Sequence, residues 1–492
     1  MTAFYTRRQF VASTALAGAA GLLLPGVARA QAQPVALRVE SRVLDVNGKA
    51  AKVFALRQPD GTRGLVAEAG RRFHVRLENR ISEPTLVHWH GLTPPSAQDG
   101  VPGLSQPALK PGESYVYDFP LARPGTNWMH SHVGLQEQLL MAAPLIVRDP
   151  AERGRDEQEV VVLFHDFTFR DPDEIFAGLR GGGAGAPGGH GAAPMGSMQH
   201  TPQQMTQTMP GMQHGAAAPA APAAAHLYDV EYDAFLANDR TLADPEIVRV
   251  DAGGRVRLRL INGATTTNFA LDLGALEGTL VAVDGVDVVP VRARRFDFAI
   301  AQRLDIRIAL PKEPGAWPVL VQREGDVRRT GIVLAARGAK VTKIADAAET
   351  PVPPLGLALE TILRAAKPLA ARPADRKVAL VFTEEPGFRW LINGKAFGEH
   401  TPIAVGKGER VEFTFEDRTT MAHPIHLHGH HFQVVALDGK PLAGAVRDTV
   451  LVPAKSKVTV AFDADNPGHW AIHCHNLYHM AGGMMTTVKY EA

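Results

Sequence analysis

A single cysteine stands in this chain of 492 residues, and it stands between two histidines, in His473-Cys474-His475. His479 follows it, and then Met484. A lone cysteine forms no intrachain disulfide, so its thiol is free for other chemistry. Successive side chains of an extended strand point to opposite faces. His473 and His475 then face one way and Cys474 the other, so one strand could serve two metal sites. A thiolate, an imidazole from His479 and a weak thioether from Met484 are three of the four ligands of a blue-copper centre. The missing imidazole, and partners for His473 and His475, must come from elsewhere in the chain.

Histidine supplies the candidates. His88-Trp89-His90-Gly91 is one pair, His130-Ser131-His132 a second, and His423-Pro424-Ile425-His426-Leu427-His428-Gly429 a third cluster. Each contains His-X-His, as does the segment around Cys474. In a strand the two imidazoles of such a pair share a face, about 6.6 Å apart along the chain. That spacing lets one pair reach two metals or straddle a cluster. A single pair reads as a surface feature or a structural zinc site. Four pairs, one of them wrapping the only cysteine, read as copper. Eight imidazoles are enough for three copper ions with room left for oxygen. Other histidines have blander roles: His430 and His431 pack or hydrogen-bond, and His165 and His469 are structural. Trp89, between two ligand candidates, faces the other side of its strand into the core. Met421 and Met485 pack.

These residues must be positioned by strands. Val35 to Val46 alternates in strand fashion. Gly70 to Asn79, Gly254 to Asn262 and Gly408 to Asp417 each read as a glycine turn, an alternating run and a polar end. Phe235-Leu236-Ala237-Asn238 and Trp390-Leu391-Ile392-Asn393-Gly394 echo one another upstream of the second and third copies. Three long-spaced copies mean three related domains, and alternation with almost no helical periodicity means β-sandwiches. Domain one spans residues 31–150, domain two 151–345 and domain three 346–492, with Pro351 to Pro354 in the linker. Two histidine pairs lie in domain one and two in domain three, so their cluster is expected where the terminal domains meet. Asp171-Pro172-Asp173-Glu174 caps the start of a short helix through Leu179. Residues 181–226 break the pattern. They are rich in Gly, Ala, Pro and Gln, carry five of the twelve methionines, and cannot build a core.

Composition narrows the partners. Lys and Arg number 52 against 51 Asp and Glu, which gives no reason to expect nucleic acid or an anionic membrane. Thr6-Arg7-Arg8-Gln9-Phe10, an apolar run to Leu24 and Ala28-Arg29-Ala30 form a twin-arginine signal peptide over residues 1–30. The expected location is the periplasm, and no later stretch is long and apolar enough to span a bilayer.

The four motifs together resemble the three-domain multicopper oxidases, in the bacterial laccase and copper-resistance group, over nearly all of the mature chain. The resemblance implies three cupredoxin-like Greek-key β-sandwiches, an all-β fold, and four copper ions. Carried over residue by residue, His423, Cys474, His479 and axial Met484 match the type 1 ligands. His88 and His426 match the type 2 ligands. His90, His130 and His475 match one type 3 site, and His132, His428 and His473 the other. Reduction of O2 to two waters takes four electrons, which four coppers can store, and Cys474 gives a covalent route between the two sites. Asp99, in Asp99-Gly100-Val101-Pro102-Gly103, matches the family's proton-relay acid beside the type 2 copper. Where some bacterial relatives place a glutamate after the last type 1 histidine, this chain has Met480, which leaves the second relay acid open; Glu137 is a candidate. The implied function is one-electron oxidation of phenols, aromatic amines and diamines, and of Cu(I), by a monomer with a role in copper tolerance. The Met/His-rich insert points to Cu(I), since thioethers select it. The alternative is a periplasmic copper-sequestering protein with incidental oxidase activity, which would show no oxygen uptake with an organic donor.

Overall fold

The computed structural model describes residues 33–181 and 227–491. The signal segment and residues 182–226 lie outside them. The three echoed runs are strands Arg72–Asn79, Arg255–Asn262 and Arg410–Asp417. In the first of them Phe73, Val75, Leu77 and Asn79 turn inward while their neighbours stay partly or fully exposed. Each run occupies the same place in its sheet. It lies parallel to an earlier strand, Val35–Val46, Gln158–Phe167 or Arg376–Glu385. On its other side it pairs antiparallel with Ser114–Pro120, Arg303–Ala309 or Lys457–Asp463. The echoed Asn turns also agree. Asn238 and Asn393 sit at φ 49° and 53°, a region Asn tolerates, and each side chain clasps the backbone of the neighbouring strand.

Six sheets result, two per third of the sequence. A four-stranded sheet containing Val35–Val46 shares one apolar core with a four-stranded sheet containing Val87–His88 and Gly125–Ser131. Trp89 is wholly buried in that core, as its position between two histidines demands. A six-stranded and a five-stranded sheet share the middle core. A seven-stranded and a five-stranded sheet share the last, and Cys474, Met484 and Met421 belong to that apolar cluster. The fold is thus all-β, three Greek-key sandwiches in one chain.

Helices are few and short among the described residues. α1 runs Pro172–Arg180, α2 Ala358–Ile362 and α3 Leu477–Ala481. α1 starts where the sequence says it should, with the Asp171 carboxylate accepting from the N–H groups of Asp173 and Glu174. α3 places His479 in its single turn, and Asn476 caps it by accepting from the His479 N–H at 3.3 Å. No described helix is long and apolar enough to cross a membrane.

Candidate metal centres

The four histidine pairs do not lie within strands; each straddles a strand end. Val87–His88, Gly125–Ser131, His423–Leu427 and His469–Cys474 carry the first histidine of each pair, and the second falls just beyond. This corrects the expectation of four fully extended pairs. The chain bends once its ladder ends, and the rings of a pair converge to centroid separations of 4.8–5.7 Å. Register then brings pairs together. His88 lies opposite His130 in one sheet, and His426 opposite His473 in another. Directly opposed residues hold their side chains within reach of one another.

The sheets of the first and last thirds bring these ends together. His88, His90 and His426 place their ligand-capable atoms within 4.8 Å of one another. So do His90, His130 and His475, and so do His132, His428 and His473. Their inner nitrogens face each other: Nε2 of His428 and His473 at 3.0 Å, of His475 and His130 at 3.3 Å, of His426 and His88 at 3.5 Å. The outer nitrogens of several rings are held by acceptors. His88 Nδ1 lies 2.8 Å from the Asp99 carbonyl, His426 Nδ1 2.9 Å from the Asp448 carbonyl, and His428 Nδ1 2.8 Å from Asp99 Oδ2. An outer N–H donated this way leaves the inner lone pair free. Burial also pushes His90, His130, His132, His428, His473 and His475 well below the usual histidine range, so these rings are neutral. His90 Nδ1 and His132 Nε2 are buried with no hydrogen-bond partner. Neutral rings turning unprotonated nitrogens into one dry space form a cradle for cations. The donor set fits copper.

Cys474 points the other way. Its Sγ lies 3.5 Å from His423 Nδ1 and 3.8 Å from His479 Nδ1, and these two nitrogens are 3.2 Å apart. All three residues are fully buried. The Met484 carbonyl accepts from the Cys474 N–H, and the Met484 N–H donates to the His479 carbonyl, so the thioether-bearing residue is pinned beside the cluster. Burial pushes the Cys474 thiol up, so a metal ion must take the proton's place to create the thiolate. The Asn476 N–H, 3.4 Å from Sγ, then stands ready as a donor to it.

Several residues at these clusters carry no signal in the sequence. Asp448 approaches His90 Nε2 at 3.1 Å and Thr449 lies 3.2 Å from the same atom. Asp229 lies 2.8 Å from His479 Nε2, Thr419 2.8 Å from His423 Nε2, and Trp390 stacks on His479 at 3.9 Å. Imidazole ligands need outer acceptors, but nothing in the spacing says which carboxylate arrives. Asp99 is 1% exposed and its Oδ1 has no hydrogen-bond partner, although His88 Nδ1 stands 3.3 Å away. Glu137 reaches His130 Nδ1 at 3.0 Å, and burial pushes its carboxyl well above the usual range. His430, His469 and His165 are structural: His430 bonds the His428 carbonyl and Tyr490, His469 bonds Thr487, and His165 bonds the Gly263 carbonyl. His431 stands 4.0 Å from Asp448 and takes no place in a cluster. Met485 packs with Val101 and Ala471.

Comparison with known proteins agrees. Three family models described as multicopper oxidase match residues 59–152, 194–341 and 371–492. The chain is 30% identical to "Multicopper oxidase MmcO" of Mycobacterium tuberculosis, covering 86% of this chain and 80% of that protein. It is 26% identical to "Copper resistance protein A" of Escherichia coli, over 99% of each. The crystal structure of a laccase from Botrytis aclada superposes with a TM-score of 0.71 at 21% identity, over 92% of this chain and 86% of that one, and so shares the fold. With histidine pairs from both ends of the sequence meeting in one buried space, and relatives matching along its length, the chain belongs to the multicopper oxidases and is a copper-dependent oxidoreductase with O2 as its acceptor.

Proposed function

We propose a laccase-like oxidase that takes single electrons from phenols, aromatic amines, diamines and Cu(I) and reduces O2 to water, with a role in copper tolerance. The observation that carries it is the division of eight clustered histidines and one His-Cys-His-Met set across the two faces of the strand His469–Cys474. His423, Cys474, His479 and Met484 would hold a type 1 copper, and His88 and His426 a type 2 copper. His90, His130 and His475 would hold one type 3 copper, and His132, His428 and His473 the other. Copper in these four places supplies one-electron transfer and storage of the four electrons that one O2 consumes.

The chain's own groups do the rest. His479 offers its outer edge to Asp229, so Asp229 fixes the ring at the donor side. Trp390 and Phe388 cover that ring and exclude water from it. Asp99, whose buried Oδ1 has no hydrogen-bond partner, would relay a proton to reduced oxygen. Glu137, beside His130, is a second holder and stands in for the glutamate that Met480 replaces.

Cu(I) as a donor is supported by where the described flanks of residues 182–226 lie. Phe176 of α1 packs edge-on against Phe388 at the His479 ring, and Asp229 returns to the same ring. The described residues on either side of the methionine-bearing segment thus stand near the proposed type 1 site. Export by the twin-arginine route to the periplasm, action as a monomer, and domain limits near residues 150 and 345 complete the reading, and rest on the sequence.

Metal analysis with the visible spectrum tests the site set. About four coppers per chain and an intense thiolate band are expected. Oxygen uptake with a simple phenol tests turnover; its absence would favour copper storage. Removal of residues 182–226 should lower Cu(I) oxidation and spare phenol oxidation. An equal effect on both would remove the case for Cu(I).

A further inference from the structure

The middle sandwich contributes no atom to any of the histidine clusters among the described residues. It nevertheless reaches them. Arg303 begins a central strand of the middle six-stranded sheet and is 0% exposed. Its guanidinium grips both carboxylate oxygens of Asp448, through Nη1 at 2.8 Å and through Nη2. It also donates to the carbonyls of Thr126, Ala301 and Asp284. Asp448 in turn faces His90 through Oδ1 and His426 through its carbonyl. One middle-sandwich arginine thus holds Asp448, which meets a ring from the first third through its carboxylate and a ring from the last through its carbonyl.

A second contact comes from the hairpin tip at Asp284-Gly285. Asp284 Oδ1 accepts from the Arg303 N–H at 2.9 Å, and Oδ2 accepts from Arg447 Nε at 2.8 Å and from the Thr449 N–H at 3.3 Å. Both flanks of Asp448 are therefore tied to one aspartate of the middle sandwich. Gly285 sits against Gly125, the first residue of the strand carrying His130. A Cβ on Gly125 would lie 2.7 Å from the Gly285 carbonyl oxygen. Gly91, which follows His90 at φ +93°, is needed for the same reason. A Cβ there would lie 2.6 Å from Arg303 Nη2 and 2.4 Å from Asn127 Oδ1.

We infer that Arg303 and Asp284 are positioning residues for the metal cluster shared by the first and last thirds, making the middle sandwich the part that fixes how those two halves of the cluster meet. The inference rests on the proposed copper assignment. Its reach is limited to that cluster, because neither residue contacts His423, Cys474 or His479.

The test is R303K and D284N in the full chain, with Arg307→Gln as a control on the same strand; Arg307 pairs with Glu152 and Glu157, away from the cluster. R303K keeps the charge but loses the two-pronged grip on Asp448. D284N keeps the shape and halves the acceptors. The readouts are copper per chain, the rate at which a chelator removes it, and the visible thiolate band. R303K should release copper from the shared cluster about 10–100-fold faster than wild type, with D284N shifted the same way. The thiolate band should persist in both, and R307Q should match wild type. Wild-type release rates in both variants would overturn the inference. So would loss of the thiolate band in parallel with the rest, which marks general destabilisation. A wild-type protein holding copper only at the thiolate site would overturn the cluster assignment itself, and this inference with it.

Discussion

At the scale of single residues, the clusters are decided by what each ring nitrogen and carboxylate oxygen touches. Asp99 shows this: its Oδ2 accepts from His428 while its Oδ1 is left unpartnered in a buried place. Asp99→Asn keeps an oxygen for His428 but cannot carry a proton. Turnover of O2 should fall by about 10²–10⁴-fold while copper content stays at the wild-type value, as oxygen uptake beside metal analysis would show. Asp229→Ala frees the outer nitrogen of His479. We expect copper at the thiolate site to bind about 10-fold more weakly, with the copper of the histidine cluster unaffected, read by chelator competition on the visible band. Cys474→Ser should abolish that band and phenol oxidation together.

At the scale of elements, the register of two short strand ends does the positioning. His428 follows the strand His423–Leu427, and Gly429 turns the chain immediately after it at φ +67°. A Cβ on Gly429 would lie 2.4 Å from the ring of Trp470, a wholly buried residue on the strand that carries His473 and Cys474. Gly429→Ala must move either the turn or that strand. It should destabilise the fold by about 1–3 kcal/mol, measured by thermal or denaturant unfolding, and broaden the thiolate band by disturbing both faces of the strand. The same change at Gly48, where no atom comes near, meets only the strain of its positive φ.

At the scale of the whole molecule, gathering so many neutral histidines has a consequence for the metal-free protein. His90, His130, His132, His423, His428, His473 and His475 are held well below the usual range by burial, and His426 is lowered too. In the unfolded chain they take up protons near pH 6.5. Below that the unfolded state binds more protons than the folded one, so stability is present above about pH 6.5 and is lost as pH falls. Each such group contributes a slope of up to about 1.4 kcal/mol per pH unit. Glu137, raised by burial, opposes them with one group. Unfolding of the metal-free chain followed by calorimetry should show its transition temperature dropping steeply below pH 6.5, and copper should flatten the curve. A flat profile without metal would contradict the neutral-ring arrangement.

How much of this was written in the sequence differs from feature to feature. Strand identity, the three echoed runs, the α1 cap and the residue types of the clusters are local properties, fixed by period-two alternation, turn chemistry and the spacing of a few side chains. Trp89 could be sent to the core because its neighbours faced the other way. The bend that carries each second histidine past its strand end was not legible, since a ladder ends where its partner strand does. Nor were the acceptors. His88 and His426 are 338 residues apart in sequence yet face each other at 3.5 Å, and Arg303, Asp448 and Asp229 come to the rings from still other places. The sequence by itself determined which side chains could bind metal, and that Trp89 and Cys474 turn away from the histidines beside them. The tertiary structure alone decided which rings meet, which nitrogen of each ring is free, and what holds it there, because those depend on contacts between groups that only folding brings within hydrogen-bonding reach.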